Sequence, residues 1–228
     1  MWKFCYIATR KSTGCRRSNL FFPFRSILSL MSEFTIRAAL PDDASFLGKT
    51  VSEALGRELC LGLAGTSDRL LLIERMFSRL ASIDDSQYSY RNAIIAADSQ
   101  GIPVGAIIAY DGLHLRRLRK AFIDEARRTI GWDIDENDMI DEADSGEIYL
   151  DSLFVEPDHR GQGIASTLIN AMIRHHGDSL KPYGLLVEPG KLNARRLYEK
   201  LGFLQVGINQ AFRTPMLHLQ HPPIISKN

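Results

Sequence analysis

The sequence predicts a single mixed α/β domain, on three observations. Segments that alternate apolar and polar residues take turns with segments whose apolar residues recur every three or four positions. After a glycine-rich loop the alternation resumes as helix, strand, helix, strand. The 228 residues, 45% hydrophobic and 24% charged, suit one ordinary globular domain with a full core.

Each element follows from its own pattern. "FTIRAA", from Phe34, alternates as a strand, and Asp42-Asp43 signals a helix that runs from Asp43 to Leu55. A second helix is expected from Asp68 to Leu80, with Leu71, Leu72, Met76 and Leu80 on its apolar side. "NAIIAAD" and "VGAIIAYD" flank the turn "SQGIP", a hairpin signal. Leu113 to Ile130 reads as a long charged helix, Asp133 to Glu147 as an acidic loop, and "IYLDSLFV", ending at Val155, as a strand. Then come a helix from Gly163 to His176, the strand "YGLLVE", a helix from Asn193 to Leu201, and strands from "GFLQVG" to "MLHLQ".

Charge names no partner. The formal net charge is +1, and the basic run "RRLRK" is followed closely by an acidic stretch, so a nucleic-acid footprint is not expected. No apolar run is long enough to span a membrane. Cys5, Cys15 and Cys60 form no framework spacing, which points to free thiols in a reducing compartment, the cytoplasm. Residues 1–32 differ from the rest: Lys3, Arg10, Lys11, Arg16, Arg17 and Arg25 are basic, and the first acid is Glu33. An Arg-rich, acid-poor leader is what an organellar transit peptide looks like, yet Met31 opens a strand and helix of its own, so an upstream misassigned start is the preferred reading. The folded domain is expected over residues 33–220, with 221–228 as a tail.

The stretch "VEPDHRGQGIASTLI" carries the chemistry. Gly161 and Gly163 remove Cβ atoms where the backbone must turn sharply, and the helix that follows turns Ile164, Leu168, Met172 and Ile173 inward. Unsatisfied N–H donors and the positive end of the helix dipole suit a phosphate, and Arg160 adds a permanent charge. The dinucleotide fingerprint fits poorly, because "EPDHR" separates the strand from the first glycine and only about 40 residues follow Glu188. A nucleoside-triphosphate loop fails because no Gly-Lys-Ser/Thr is present.

"VEPDHRGQGIA" resembles the acyl-CoA-binding motif of the Gcn5-related N-acetyltransferase (GNAT) superfamily, whose pattern Arg/Gln-X-X-Gly-X-Gly/Ala is matched by Arg160, Gly163 and Ala165. "NARRLYEKLGF" resembles the family's C-terminal block, and "FTIRAALPDDA" its opening. The resemblance implies a mixed central sheet with flanking helices and an acetyl-CoA-dependent transfer to a small-molecule or peptide amine, with a homodimer left open. It implies that Leu153, Phe154 and Val155 hold the pantetheine arm with Asn193 near it. The loop Arg160, Gly161, Gln162, Gly163, Ile164 and Ala165 would cradle the pyrophosphate. The physics agrees, since an amide-bearing arm can add to an open strand edge and a pyrophosphate suits a helix N-terminus.

Two side chains are candidates for catalysis. A thiolate leaves with a pKa of about 8.5 and a phenol has about 10, so a positioned Tyr198 can protonate the departing sulfur. Equally, Ala194, Tyr198 and Leu201 share a helical face, where an aromatic side chain is ordinarily core. Asp151 is the candidate for taking up or orienting the acceptor's proton-bearing nitrogen, and strand alternation places it on one face with Tyr149, Leu153 and Glu147. Its plain alternative is a strand carboxylate that only pairs or solvates.

The segment from Leu113 to Glu147 is longer than the family's usual connection and could lid the acceptor side. "DIDENDMIDEAD" mimics a calcium loop, with Asp133, Asp135, Asn137, Asp141 and Asp144 at ligand positions, but lacks the sixth-position glycine and the final glutamate. His175, His176, His218 and His221 have no Cys or acid cluster in sequence, so no metal site is expected. Cys60 reads as a small buried hydrophobe, favouring direct attack on the thioester over a covalent intermediate. A non-catalytic acyl-CoA-binding module of the same fold is the alternative function.

Overall fold

A computed structural model of the chain describes residues 34–133, 135–177, 179–211 and 214–224. The basic leader therefore lies outside the described residues, as do Cys5 and Cys15. The first half runs β1 (Thr35–Ala38), α1 (Ala44–Leu55), α2 (Arg57–Ala64), α3 (Leu70–Ser82), β2 (Ala93–Ala97), β3 (Pro103–Asp111) and α4 (Leu115–Ile130). The second runs β4 (Ile148–Val155), α5 (Ile164–His175), β5 (Tyr183–Val187), α6 (Leu192–Lys200), β6 (Leu204–Ala211) and β7 (Thr214–His221). These strands form one seven-stranded sheet in the order β1-β2-β3-β4-β5-β7-β6. The expected mixed sheet with flanking helices is what the chain builds.

Each face of the sheet has its own core. On one side Leu47, Val51, Ile73, Met76, Phe77 and Leu80 pack under Ala106 and Ile108, with Phe122 and Ile123 of α4 joining them. On the other, Ile164, Leu168, Ile169 and Met172 of α5 meet Ile107, Ala109, Ile148 and Leu150. α3 buries Met76 and Leu80 as expected, but Leu71 is 65% exposed, and Ile73 and Phe77 complete the inward stripe. The sequence reading also lacks α2, a helix of 8 residues that starts directly after Gly56, whose φ of 83° ends α1. Among the described residues no helix is long and apolar enough to cross a membrane.

Two irregularities position the site. Neighbouring strands are antiparallel except for β4 and β5, which pair in parallel at only Ile148↔Tyr183 and Tyr149↔Gly184. Beyond that point β4 remains bonded to β3 and β5 to β7, so the two strands part. The second is a bulge: Ala109 pairs with Leu150 and Ile108 with Ser152, leaving Asp151 as the extra residue. The bulge reverses the alternation. Leu153 packs on the α5 side, whereas Tyr149 packs with Tyr110 on the other, so the expectation that Leu153 shares a face with Tyr149 and Asp151 is corrected.

Candidate active site

A cavity of ≈ 370 Å³ opens where β4 and β5 separate. Leu153, Phe154 and Val155 line it from β4, Arg160, Gly161, Gly163, Ile164 and Ala165 from the loop and α5, and Tyr198 from α6. Gln162 and Asn193 are not among its lining residues; Gln162 Nε2 donates to the Asp158 carbonyl at 3.4 Å, and Ala194 takes the place expected for its neighbour. Glu53 of α1, His159 and Leu197 also line the cavity. Sequence reasoning did not find these three: Glu53 and Leu197 are brought there only by the packing of α1 and α6, and His159 stands inside the loop motif at a position the pattern leaves open.

The loop's geometry is that of an anion cradle. Gly161 and Gly163 hold φ of 78° and 80°, left-handed values that cost an L-residue about 1 kcal/mol or more. Gly163 is the N-cap of α5 and offers no side chain, so the first turn's N–H groups face outward until Thr167 N donates to the Gly163 carbonyl at 3.0 Å. Arg160 has a second task. Its Nε donates to the Val155 carbonyl at 2.9 Å and its guanidinium lies 5.8 Å from the Phe154 ring, tying the loop to the strand end. Lys49 of α1 reaches the same place, with Nζ 2.5 Å from Glu156 Oε1.

Tyr198 sits at the cavity's inner wall, half-buried beside Phe203 at 5.7 Å between ring centres. Asp151 lies across the sheet from α5. Its Oδ1 accepts from Ser152 Oγ at 2.7 Å and its Oδ2 from the Tyr110 hydroxyl at 3.3 Å. Burial pushes its carboxyl up to about 7, with the Glu142 charge adding to the rise and the Ser152 and Tyr110 hydrogen bonds and Arg119 opposing it. A carboxylate near neutrality can both take and return a proton at physiological pH. Burial likewise raises Tyr88, Tyr110 and Tyr149 well above the usual phenol range, so they remain hydrogen-bond donors.

Glu147 keeps the face of Tyr149, as expected, but is taken up by other partners. It is 0% exposed and its Oε2 takes Gln220 Nε2 at 2.9 Å and lies 2.8 Å from His218 Nε2, while Oε1 accepts the Asp144 amide at 3.0 Å. Asp144, Glu147 and His218 do bring ligand atoms within 4.8 Å of one another, a grouping no sequence spacing showed. In the acidic stretch Asp141 is held by Arg116 and Arg119 at 2.9 and 2.8 Å, which takes it out of the calcium-like set. Cys60 is 5% exposed, and burial, then the charges of Glu53 and Glu74, push its thiol up to about 11, an unreactive state.

Comparison with known proteins agrees with this geometry. No curated protein matches the sequence significantly. Among solved structures, an N-acetyltransferase from Staphylococcus aureus Mu50 superposes with a TM-score of 0.63 at 18% identity, covering 82% of this chain and 99% of that one. The histone acetyltransferase HPA2 and related acetyltransferase from Corynebacterium glutamicum ATCC 13032 gives 0.61 at 19%, covering 86% and 99%. The NatC complex bound to Gag peptide and CoA gives 0.50 at 17%, covering 84% and 99%. The profile of the acetyltransferase (GNAT) family matches residues 72–203, more than half of the chain, and the protein belongs to that family.

Proposed function

We propose that the chain moves an acetyl group from acetyl-CoA to an amine of a small molecule or peptide, by direct attack in a ternary complex. The observation that carries this reading is the parting of β4 from β5 directly beside the left-handed glycine loop. The edge of β4 from Leu153 to Val155 would pair with the amide-bearing pantetheine arm. The pyrophosphate would meet the N–H groups at the start of α5, with Arg160 alongside. The thioester would then lie in the opening, within reach of both faces of the sheet.

The bonds balance without a covalent intermediate. The amine nitrogen attacks the thioester carbonyl once Asp151 has taken one proton from its ammonium form; the C–N bond forms as the C–S bond breaks, and the electron pair leaves on sulfur. Tyr198 gives its proton to the developing thiolate and regains one from the second amine hydrogen, and Asp151 releases the first proton to solvent. The strand N–H groups beside the opening would polarise the carbonyl oxygen.

The test is a thermal melt with saturating acetyl-CoA beside equal NAD and ATP, followed by detection of CoA thiol on adding a pool of primary amines. Acetyl-CoA at about 100 times its dissociation constant adds about 2.7 kcal/mol of stability. Stabilisation by acetyl-CoA alone, with amine-dependent thiol release, is expected. A response to NAD, or none, would remove the reading of the loop; binding without thiol release would leave a binding module instead of an enzyme.

A further inference from the structure

Beside Asp151 two part-buried carboxylates compete for one hydroxyl donor. The single Tyr110 hydroxyl hydrogen faces two carboxylates, with the oxygen 3.3 Å from Asp151 Oδ2 and 3.3 Å from Glu142 Oε1. It can serve one of them at a time. Gln87 Nε2 reaches the same Glu142 oxygen at a long 3.4 Å, and Gln87 Oε1, on a residue 3% exposed, has no partner at all. A buried acceptor left orphaned is costly, so this oxygen is a place for a donor from outside the fold.

The groups around this nest fix its charge. Arg119 of α4, 1% exposed, is bound to Asp141 at 2.8 Å and to Glu142, and keeps one buried nitrogen, Nε, without a partner. Asp141, Glu142 and Asp151 thus set three acids against this one buried guanidinium, and Asp151 makes no ion pair among the described residues. Tyr88, Tyr110 and Tyr149 supply ring faces and hydroxyls close by. A group with three N–H donors and a positive charge fits these needs; an anion or a neutral hydroxyl does not.

We propose that Gln87 and Glu142 are acceptor-recognition residues, which with Asp151 receive the reacting nitrogen as an alkylammonium around the Tyr110 hydroxyl. This rests on the acyl-CoA reading above. Gln87 belongs to the loop before β2 and Glu142 to the long acidic segment, so each sets specificity from outside the glycine loop. Acceptors are then aliphatic primary amines, charged at neutral pH; arylamines, neutral there, lack both the charge and the third donor.

The test is calorimetric binding of benzylamine and its neutral isostere benzyl alcohol to the full chain saturated with CoA, in wild type, Glu142→Gln and Gln87→Glu. Benzylamine is expected to bind at least tenfold more tightly than the alcohol. Glu142→Gln should weaken benzylamine about tenfold and Gln87→Glu tighten it about threefold, with CoA affinity unchanged in both. Opposite responses to two substitutions of one site are not what a merely structural role gives. Equal binding of the two probes by wild type, or weakening of benzylamine by Gln87→Glu in a folded protein, overturns the proposal. If Gln87→Glu does not fold, the ratio of the two probes in wild type and Glu142→Gln decides it. Failure of CoA itself to bind would remove the acyl-CoA reading, and this inference with it.

Discussion

Glu147 occupies the space that a side chain at Gly184 would need: a Cβ built on the glycine stands 1.8 Å from Glu147 Oε2. The glycine lets a buried carboxylate lie across β5 and reach His218 and Gln220 on β7, beneath the point where β4 and β5 part. The hydrogen bond that the His218 ring donates to Glu147 raises the His218 pKa against the opposing effect of burial. A raised histidine value means stability that is complete below the unfolded value, about 6.5, and is lost as pH rises through the folded one. Gly184→Ala must displace Glu147 from these partners, and a cost of about 3 kcal/mol is expected, seen as a drop of roughly 10 °C in melting temperature. A drop under 2 °C would show that the carboxylate swings aside freely.

Gly163→Ala separates folding from ligand binding. A Cβ there meets nothing within 4 Å, so the penalty for the fold is the left-handed backbone alone, about 1 kcal/mol. The same methyl would stand at the mouth of the α5 donors, where a phosphate oxygen has to approach. Thermal melts should show a loss of a few degrees, while titration with acetyl-CoA shows at least tenfold weaker binding. Unchanged acetyl-CoA affinity would place the pyrophosphate elsewhere.

Tyr198→Phe removes one hydroxyl and keeps the ring against Phe203. If the phenol protonates sulfur, kcat falls about 10²-fold with acetyl-CoA affinity within twofold of wild type. Rapid-mix thiol release against equilibrium binding measures the split. Equal loss of binding and turnover would mean that Tyr198 shapes the cavity and does no proton chemistry.

Local pattern made the loop and most elements legible. Alternation set the strands, three-to-four spacing set α5, and the Arg160-to-Ala165 glycine pattern set the cradle, because each depends on neighbours within a few positions. What stayed hidden depends on distant partners. The bulge at Asp151 exists only in the register with Ile108 and Ala109, so alternation alone assigned Leu153 to the wrong face. Arg119 stands in a run of exposed bases, yet is buried because Asp141 and Glu142 fold back over it from more than 20 positions away. Gln87, in a polar loop without a motif, carries no signal at all.

Asp151 is expected to set the pH dependence of both stability and turnover. Its folded carboxyl, raised to about 7, lies above the ordinary carboxylate value of about 4, so the folded protein holds this proton more tightly than the unfolded chain. Stability from this group is complete below pH 4 and is lost as pH rises to 7, which is the opposite of a salt-bridged acid. Asp151→Asn should therefore leave the melting temperature unchanged at pH 4 and raise it at pH 8, by the equivalent of about 2 kcal/mol once coupling to Glu142 and Arg119 is allowed for. Turnover moves the other way. Wild-type kcat/KM should climb tenfold per pH unit below 7 and level off above it, whereas Asp151→Asn should be at least 10²-fold slower, without that break. A wild-type profile that keeps climbing toward the amine's own value, about 10, would mean that solvent takes the proton and that Asp151 only holds the nitrogen in place.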